Sequence, residues 1–242
     1  MGSVTAAVAF AAGLTGFFAL PSSASNVQLA IAHSTPTAKT LLSEMKSAIA
    51  HVTAVQVKIG AVQSSSKQTE SITLTAGVNT GLQHTTSGGE TADVILTKNN
   101  VYLHGNSSGL TAFFALPSDD LALVGNKWIS IKSNSTQYKT FATSMTAKSI
   151  LSHLVPATAN FTVTPSITVN NKLTYDISWT TTSSGNTVTE TLTLPRTGKM
   201  LPLGEQATSG TTTETSTLSK WNQSFKVKTP SNTIAITKLH QS

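Results

Sequence analysis

Residues 91–109 read TADVILTKNNVYLHGNSSG, and two folds compete for them. Val94 and Leu96 alternate with polar neighbours, Asn99-Asn100 supplies a turn, and Val101 and Leu103 resume the alternation, which reads as an antiparallel hairpin. The tail, Gly105-Asn106-Ser107-Ser108-Gly109, matches G-x-S-x-G. In an α/β-hydrolase that pattern marks Ser107 as a nucleophile on a strand-to-helix elbow. Such a hydrolase needs parallel strands buried on both faces, which read as continuous apolar runs. Here the runs alternate with Thr and are joined by short turns. The elbow also needs a helix directly after the serine, yet Leu110 to Leu116 gives only seven residues before Pro117. A turn of Gly, Asn and Ser accounts for GNSSG without chemistry. No enzyme is expected, and no catalytic residue is assigned.

The same period of two spreads outward in both directions. Upstream, Val55, Val57, Ile59 and Ala61 share one face, as do Ile72 and Leu74. Downstream, KWISIK places Ile129 and Ile131 together. Tyr175, Ile177 and Trp179 are in phase, and after the turn Ser183-Ser184-Gly185-Asn186 so are Val188, Glu190, Leu192 and Leu194. LPLGEQATSG and TETSTLSKW follow as strands around Gly210, and FKVKTP and TIAITKL are expected to close the chain as strands.

Two segments have helical spacing instead. In 37–52, Ala38, Leu41, Leu42, Met45, Ile49 and Val52 fall on one face, with Thr35 and Thr37 as candidate N-caps. In 136–154, Tyr138, Phe141, Met145, Ile150, Leu151 and Leu154 form a stripe that Pro156 ends. Consecutive strands on tight turns pair antiparallel. One face of each is Thr, Ser and Lys and the other Val, Ile and Leu, so one side is wet and the other faces helices. Two helices cannot cover so many strands if the sheet is flat. The expected fold is therefore α+β, a strongly curved antiparallel sheet (an incomplete barrel) with helices plugging its concave face.

Composition excludes several functions. Only 11% of residues are charged, and close to three in ten are Ser or Thr, a balance that suits exposed sheet. There is no Cys, hence no disulfide, thiolate metal site or thioether lipid anchor. The net charge of +6 comes from scattered Lys with few aromatics, so nucleic-acid binding is not expected. His33, His51, His84, His104, His153 and His240 form no ligand-spaced pair, and neither metal nor cofactor is expected. Residues 1–38 lack Asp, Glu and Arg and any Lys. Val4–Leu20 is an apolar run of signal-core length, broken at Pro21, with small residues at Ser22-Ser23-Ala24 and at Ala30-Ile31-Ala32. Residues 1–32 are read as signal peptide and short linker, with cleavage favoured after Ala24, and 33–242 as a single domain. No basic residue precedes the run, so an uncleaved anchor stays open.

The order of pieces, with KIGAVQ…ITLTAG, ADVILTKNNVYLHG, NKWISI, LTYDISWTT, Lys199-Met200-Leu201-Pro202 and Leu218-Ser219-Lys220-Trp221-Asn222, resembles the LolA/LppX-type envelope proteins, especially the LppX/LprG/LprF lipoproteins of actinobacteria. The resemblance covers roughly residues 37–231. It implies a hydrophobic cavity between sheet and helices that takes acyl chains of lipids or lipoproteins. The lining residues it implies are Leu42, Met45 and Ile49 from the first helix, with Val55, Val57, Ile59, Ile72 and Leu74 from the first strands. Val94, Leu96 and Leu103 come from the hairpin, Phe113 and Phe114 from the excursion after it, Phe141 and Met145 from the second helix, and Ile177 and Leu192 from the second half. The same residues serve a solid core equally well. The implied function is an exported lipid or acyl-chain carrier of the cell envelope, in the periplasm or cell wall or secreted, a monomer with a transient inner-membrane donor and no Cys-linked anchor. Residues 35–52 and 109–125 are its candidate lids. The alternative is a non-carrier sensor or scaffold that uses the same fold to bind a protein.

Overall fold

The computed structural model describes residues 35–62, 69–155, 159–167, 172–183, 186–210 and 212–239. The proposed signal segment lies outside the described residues. The chain opens with helix α1 (Ala38–Ile49), capped by Thr37, whose hydroxyl accepts from the Thr40 amide. Five strands follow: β1 (Val55–Val62), β2 (Thr69–Ala76), β3 (Gly81–Ser87), β4 (Glu90–Leu96) and β5 (Asn100–Gly105). Helices α2 (Ser107–Phe114) and α3 (Ser118–Val124) lead to β6 (Trp128–Lys132), then α4 (Thr136–Ala142) and α5 (Ala147–Ser152). The second half holds β7 (Thr162–Ile167), β8 (Leu173–Ser183), β9 (Asn186–Pro195), β10 (Gly204–Ser209), β11 (Thr212–Ser219) and β12 (Thr233–Ala235), with a 3-10 turn at Ile236–Lys238.

All twelve described strands belong to one sheet, ordered β12-β6-β5-β4-β3-β2-β1-β11-β10-β9-β8-β7. The chain therefore winds two antiparallel meanders and zips them together where β1 meets β11, Val57 opposite Leu218. Every pair is antiparallel except β12 with β6. The outermost strands, β12 and β7, do not pair with each other, so the sheet stays open. Both edges are blunted: β12 has three residues, and β7 carries Pro165, which cannot donate to a further strand.

Alternation fixes which side the helices cover. Val55, Val57 and Ile59 of β1, Ile72 and Leu74 of β2 and Val94 and Leu96 of β4 are buried with Leu110 and Phe114 of α2, Phe141 of α4 and Ile150 and Leu151 of α5. A second cluster joins Leu41, Leu42 and Met45 of α1 to Tyr175, Ile177 and Trp179 of β8 and Leu192 and Leu194 of β9. Ile49 and Val155 are the partly buried residues that touch both.

Five expectations change on contact with the structure. A helix does start at Ser107 directly after β5, capped by Asn106, so the 109–125 stretch is two short helices, α2 and α3, rather than a run too short for one; what rules out the hydrolase elbow is the antiparallel pairing of β4, β5 and β6. The 136–154 helix is two helices: Thr143 and Ser144 hydroxyls donate to the Thr140 carbonyl, competing with the helical ladder, and Thr146 caps a fresh start. FKVKTP is not a strand, because both edges of β1 are already taken by β2 and β11. TIAITKL yields only the three residues of β12. β3 is an additional strand whose concave side carries Gly81, Gln83 and Thr85 in place of apolar residues.

Candidate ligand-binding site

The GNSSG segment leads from β5 into a helix start. Asn106 caps α2: its Oδ1 accepts from the amides of Gly109 (2.8 Å) and Thr91 (3.1 Å), and its Nδ2 donates to the Gly89 carbonyl (2.8 Å). Ser107 is merely the exposed first residue of that helix. Gly105 and Gly109 are required because a Cβ at either would run into the Thr91 carbonyl.

A cleft of about 910 Å³ opens where the ends of α1, α4 and α5 meet the turns of the sheet. Ile49 and Val52 come from the end of α1, Val78 from the β2–β3 turn, Leu96 from β4, Ala142 from α4 and Leu151 from α5. Hydrogen bonds hold its walls. The Tyr138 hydroxyl donates to the carbonyls of Thr97 and Lys98, both at 2.9 Å, tying α4 to the β4–β5 turn. Burial raises the Tyr138 phenol further above its ordinary pKa, so it remains a neutral donor. The Ala147 amide donates to the Gly77 carbonyl at 2.9 Å, tying α5 to the β2–β3 turn. Asn222 accepts from the Thr53 amide at 2.7 Å and fixes the chain as it leaves α1. Lys98 and Lys148 stand exposed at the rim. Val78 is 60% exposed, an apolar side chain left uncovered at the mouth. A second cleft of about 610 Å³ lies between α1 and Phe161, lined by Leu42, Lys39 and Lys46 among others.

Of the residues the resemblance implied, Ile49 and Leu96 line the larger cleft and Leu42 the smaller. Val55, Val57, Ile59, Ile72, Leu74, Val94, Leu103, Phe114, Phe141 and Met145 lie in the first core cluster, with Phe113 packed against it. Met45, Ile177 and Leu192 lie in the second. Sequence reasoning missed Val52 and Ala142 as cleft residues, although Val52 sat on the right helical face. Val78 follows the strand periodicity out of β2 into a turn, where no pattern singles it out. Of the candidate lids, α1 lines both clefts, whereas α2 and α3 line neither: α2 is packed on β4 and β5, with the Phe114 and Phe141 rings 6.4 Å apart, and α3 lies against α2.

No protein-family model matches the sequence, and no curated protein matches it. Solved structures do. LprF from Mycobacterium bovis superimposes with a TM-score of 0.50 over 79% of this chain and 96% of that one, at 11% identity. The fold is LprF-like. The Mycobacterium tuberculosis lipoprotein LppX gives a TM-score of 0.47 at 16% identity, over 79% of this chain and 100% of that one. A DUF1329 family protein from Desulfovibrio piger gives 0.31 at 7% identity, over 78% and 94%. At such identities the LprF-like fold carries over and individual residues do not. Among the described residues, no group of three or more His, Asp and Glu side chains could share a metal ion, and no helix is long and apolar enough to cross a membrane.

Proposed function

We propose that the chain is an exported, non-enzymatic carrier of lipid or acylated cargo in the cell envelope, acting as a monomer that receives its cargo from an inner-membrane donor. The observation that carries this reading is the cleft of about 910 Å³ walled by Ile49, Val52, Val78, Leu96, Ala142 and Leu151. Its size and apolar walls fit a ligand pocket better than a packing defect. The physics is that of acyl-chain burial. Each methylene withdrawn from water contributes roughly 0.8 kcal/mol, so about a dozen contribute on the order of 10 kcal/mol before ordering costs. The ends of α1, α4 and α5 and the β2–β3 and β4–β5 turns frame a mouth through which a chain can enter. The LprF-like fold and the signal-like apolar run at Val4–Leu20 support the envelope setting.

The test is native mass spectrometry of protein purified from an envelope extract, together with displacement of a fluorescent acyl probe. Co-purified lipid and saturable displacement are expected. Protein that carries no lipid, fails to bind the probe and instead retains a protein partner would replace the carrier with a sensor or scaffold.

A further inference from the structure

Charge is divided unevenly between the two ends of the strands. At the cleft end one row of cross-strand partners runs from β1 to β6 through Val55, Ala76, Gly81, Leu96, Val101 and Ile131. β11, β9 and β7 end on the same side as that row, and β10 and β8 begin there. At this end and in the connections beyond it stand Lys98, Lys132, Arg196, Lys199 and Lys220, with Lys148 beside them at the start of α5, on the cleft. None of these connections holds an Asp or Glu. Glu70, Glu90 and Glu214 lie towards the opposite end, and so do Asp119 and Asp120 on α3, which leads into the first residue of β6.

These cations have no acidic partners. Among the described residues none of the six forms an ion pair. All ten Asp and Glu of the chain fall within the described residues, so no acidic side chain elsewhere can neutralise them. Arg196 lies over the Tyr175 ring at 5.0 Å, a contact that leaves its charge in place. Apolar side chains stand uncovered at the same end. Val78 in the β2–β3 turn, Ile167 at the end of β7 and Leu173 at the start of β8 are 60%, 64% and 52% exposed. They are three of the four large apolar side chains left exposed among the described residues, and Ile167 and Leu173 are cross-strand partners.

We propose that this rim docks on an anionic lipid bilayer, with Val78 and the Ile167–Leu173 pair dipping between the headgroups and the cations meeting their phosphates. Use of the contact to load the cleft rests on the carrier reading; the contact itself stands on the rim. Apolar tips set among unpaired cations hold a peripheral protein at an anionic interface by combining apolar burial with charge attraction. A bilayer suits this surface better than an acidic protein does. The cations are spread round the ends of many strands instead of gathering at one groove, and a fluid sheet of like headgroups meets such a spread without the shape complementarity a protein interface needs. The cleft of about 910 Å³ opens on the same rim, between Val78, Lys98 and Lys148, so an acyl chain passes from bilayer to cleft without crossing water.

Co-sedimentation of the full chain is measured with vesicles of phosphatidylcholine alone and of phosphatidylcholine mixed with phosphatidylglycerol, at low and at high salt. The apolar run at Val4–Leu20 carries no charged side chain, so the difference between the two vesicles reports on the rest of the chain. Binding to the anionic vesicles is expected to be roughly tenfold tighter or more, and the preference to fade at high salt. Lys98→Gln/Lys148→Gln is expected to weaken anionic binding about tenfold. Lys58→Gln/Lys127→Gln makes the same change in net charge, in mid-β1 and before β6, and is expected to weaken it less than about twofold. The chain has no Cys, so Val78→Cys accepts a single environment-sensitive fluorophore. Its emission should shift to the blue on anionic vesicles, whereas the same label on Lys58→Cys should not respond. Equal binding to the two vesicles, equal losses in the two double variants, or a label at position 78 that stays in water each overturns the inference. Displacement of a fluorescent acyl probe in free solution separates the two readings. Probe binding without vesicle preference removes the docking and keeps the carrier; vesicle docking without probe binding does the reverse.

Discussion

Replacing Glu205 by Gln removes a pH dependence that the fold imposes on itself. The Glu205 carboxyl is raised from 4.5 to about 8, first by desolvation on the concave face and then by the charges of Glu190 and Glu214. In the unfolded chain it titrates near its ordinary value. Between pH 4.5 and about 8 the folded protein therefore holds a proton that the unfolded chain has released. Stability falls as pH rises wherever the folded state binds more protons, by up to about 1.4 kcal/mol per pH unit. The contribution is present in full below the unfolded pKa and is lost as pH climbs through the folded one. Over this window the ceiling is about 5 kcal/mol, comparable to the whole stability of a marginal domain. Water reaching the half-buried carboxyl, and its coupling to Glu214, reduce it to an expected loss of about 2–4 kcal/mol. Urea unfolding of wild type and Glu205→Gln across the window measures it. The two should be similar at the acid end, where Gln mimics the protonated acid, and Glu205→Gln should be the more stable by about 2 kcal/mol or more at the alkaline end. Parallel stability curves would refute the reasoning, because the carboxyl would then be as well solvated folded as unfolded.

Three more substitutions separate binding from folding. Ala142→Trp, at a half-buried cleft wall, should fill the cleft and weaken acyl-probe binding roughly tenfold or more while shifting stability by less than about 1 kcal/mol, read by displacement and by urea midpoint. Asn106→Ala should cost about 2 kcal/mol through loss of the cap and the ties to Thr91 and Gly89, whereas Ser107→Ala should change neither stability nor any background esterase signal. Phe141→Ala, at a side chain 1% exposed between α4 and the sheet, should cost about 3–5 kcal/mol by thermal or urea unfolding.

What the sequence disclosed follows the range of the interactions involved. The β4–β5 hairpin was legible because Val94, Leu96, Val101 and Leu103 alternate around an Asn-Asn turn, all within a dozen residues. The α1 face was legible for the same reason, and its Thr37 cap is where the sequence put one. β3 escaped because Gln83 and Thr85 occupy its concave side, and a periodicity in apolar residues cannot register polar ones. FKVKTP misled because alternation reports one covered face and says nothing about whether an edge is free to pair. The carboxylate cluster around Glu205 was half visible: Glu190 falls in phase with Leu192 and Leu194. That Glu70, Glu205 and Glu214 stand beside it depends on β1 joining β11, a pairing between residues some two-thirds of the chain apart, and no local pattern encodes it.

The sequence posed a choice between a cavity and a solid core, and the geometry shows why both descriptions apply. Strand-borne residues such as Val55, Ile129 and Ile177 are fully packed, since the pleat sets their side chains against the helices at one depth. The helices end at different places along the strands, and the space between those ends goes unfilled. α1 covers β8 and β9 while α2, α4 and α5 cover β1 to β6, and Ile49 is the residue of α1 that reaches both clusters and the larger cleft. The seam between the two clusters is therefore where α1 stops. Under the proposed carrier function, a ligand chain entering there would displace no core side chain, so loading would not disturb the sheet. The element whose position sets the width of the seam is α1, held at its exit by the Thr53–Asn222 hydrogen bonds. Opening the cleft wider would strain that clasp before it touched the packed strands, because two surface hydrogen bonds are weaker than a buried apolar layer.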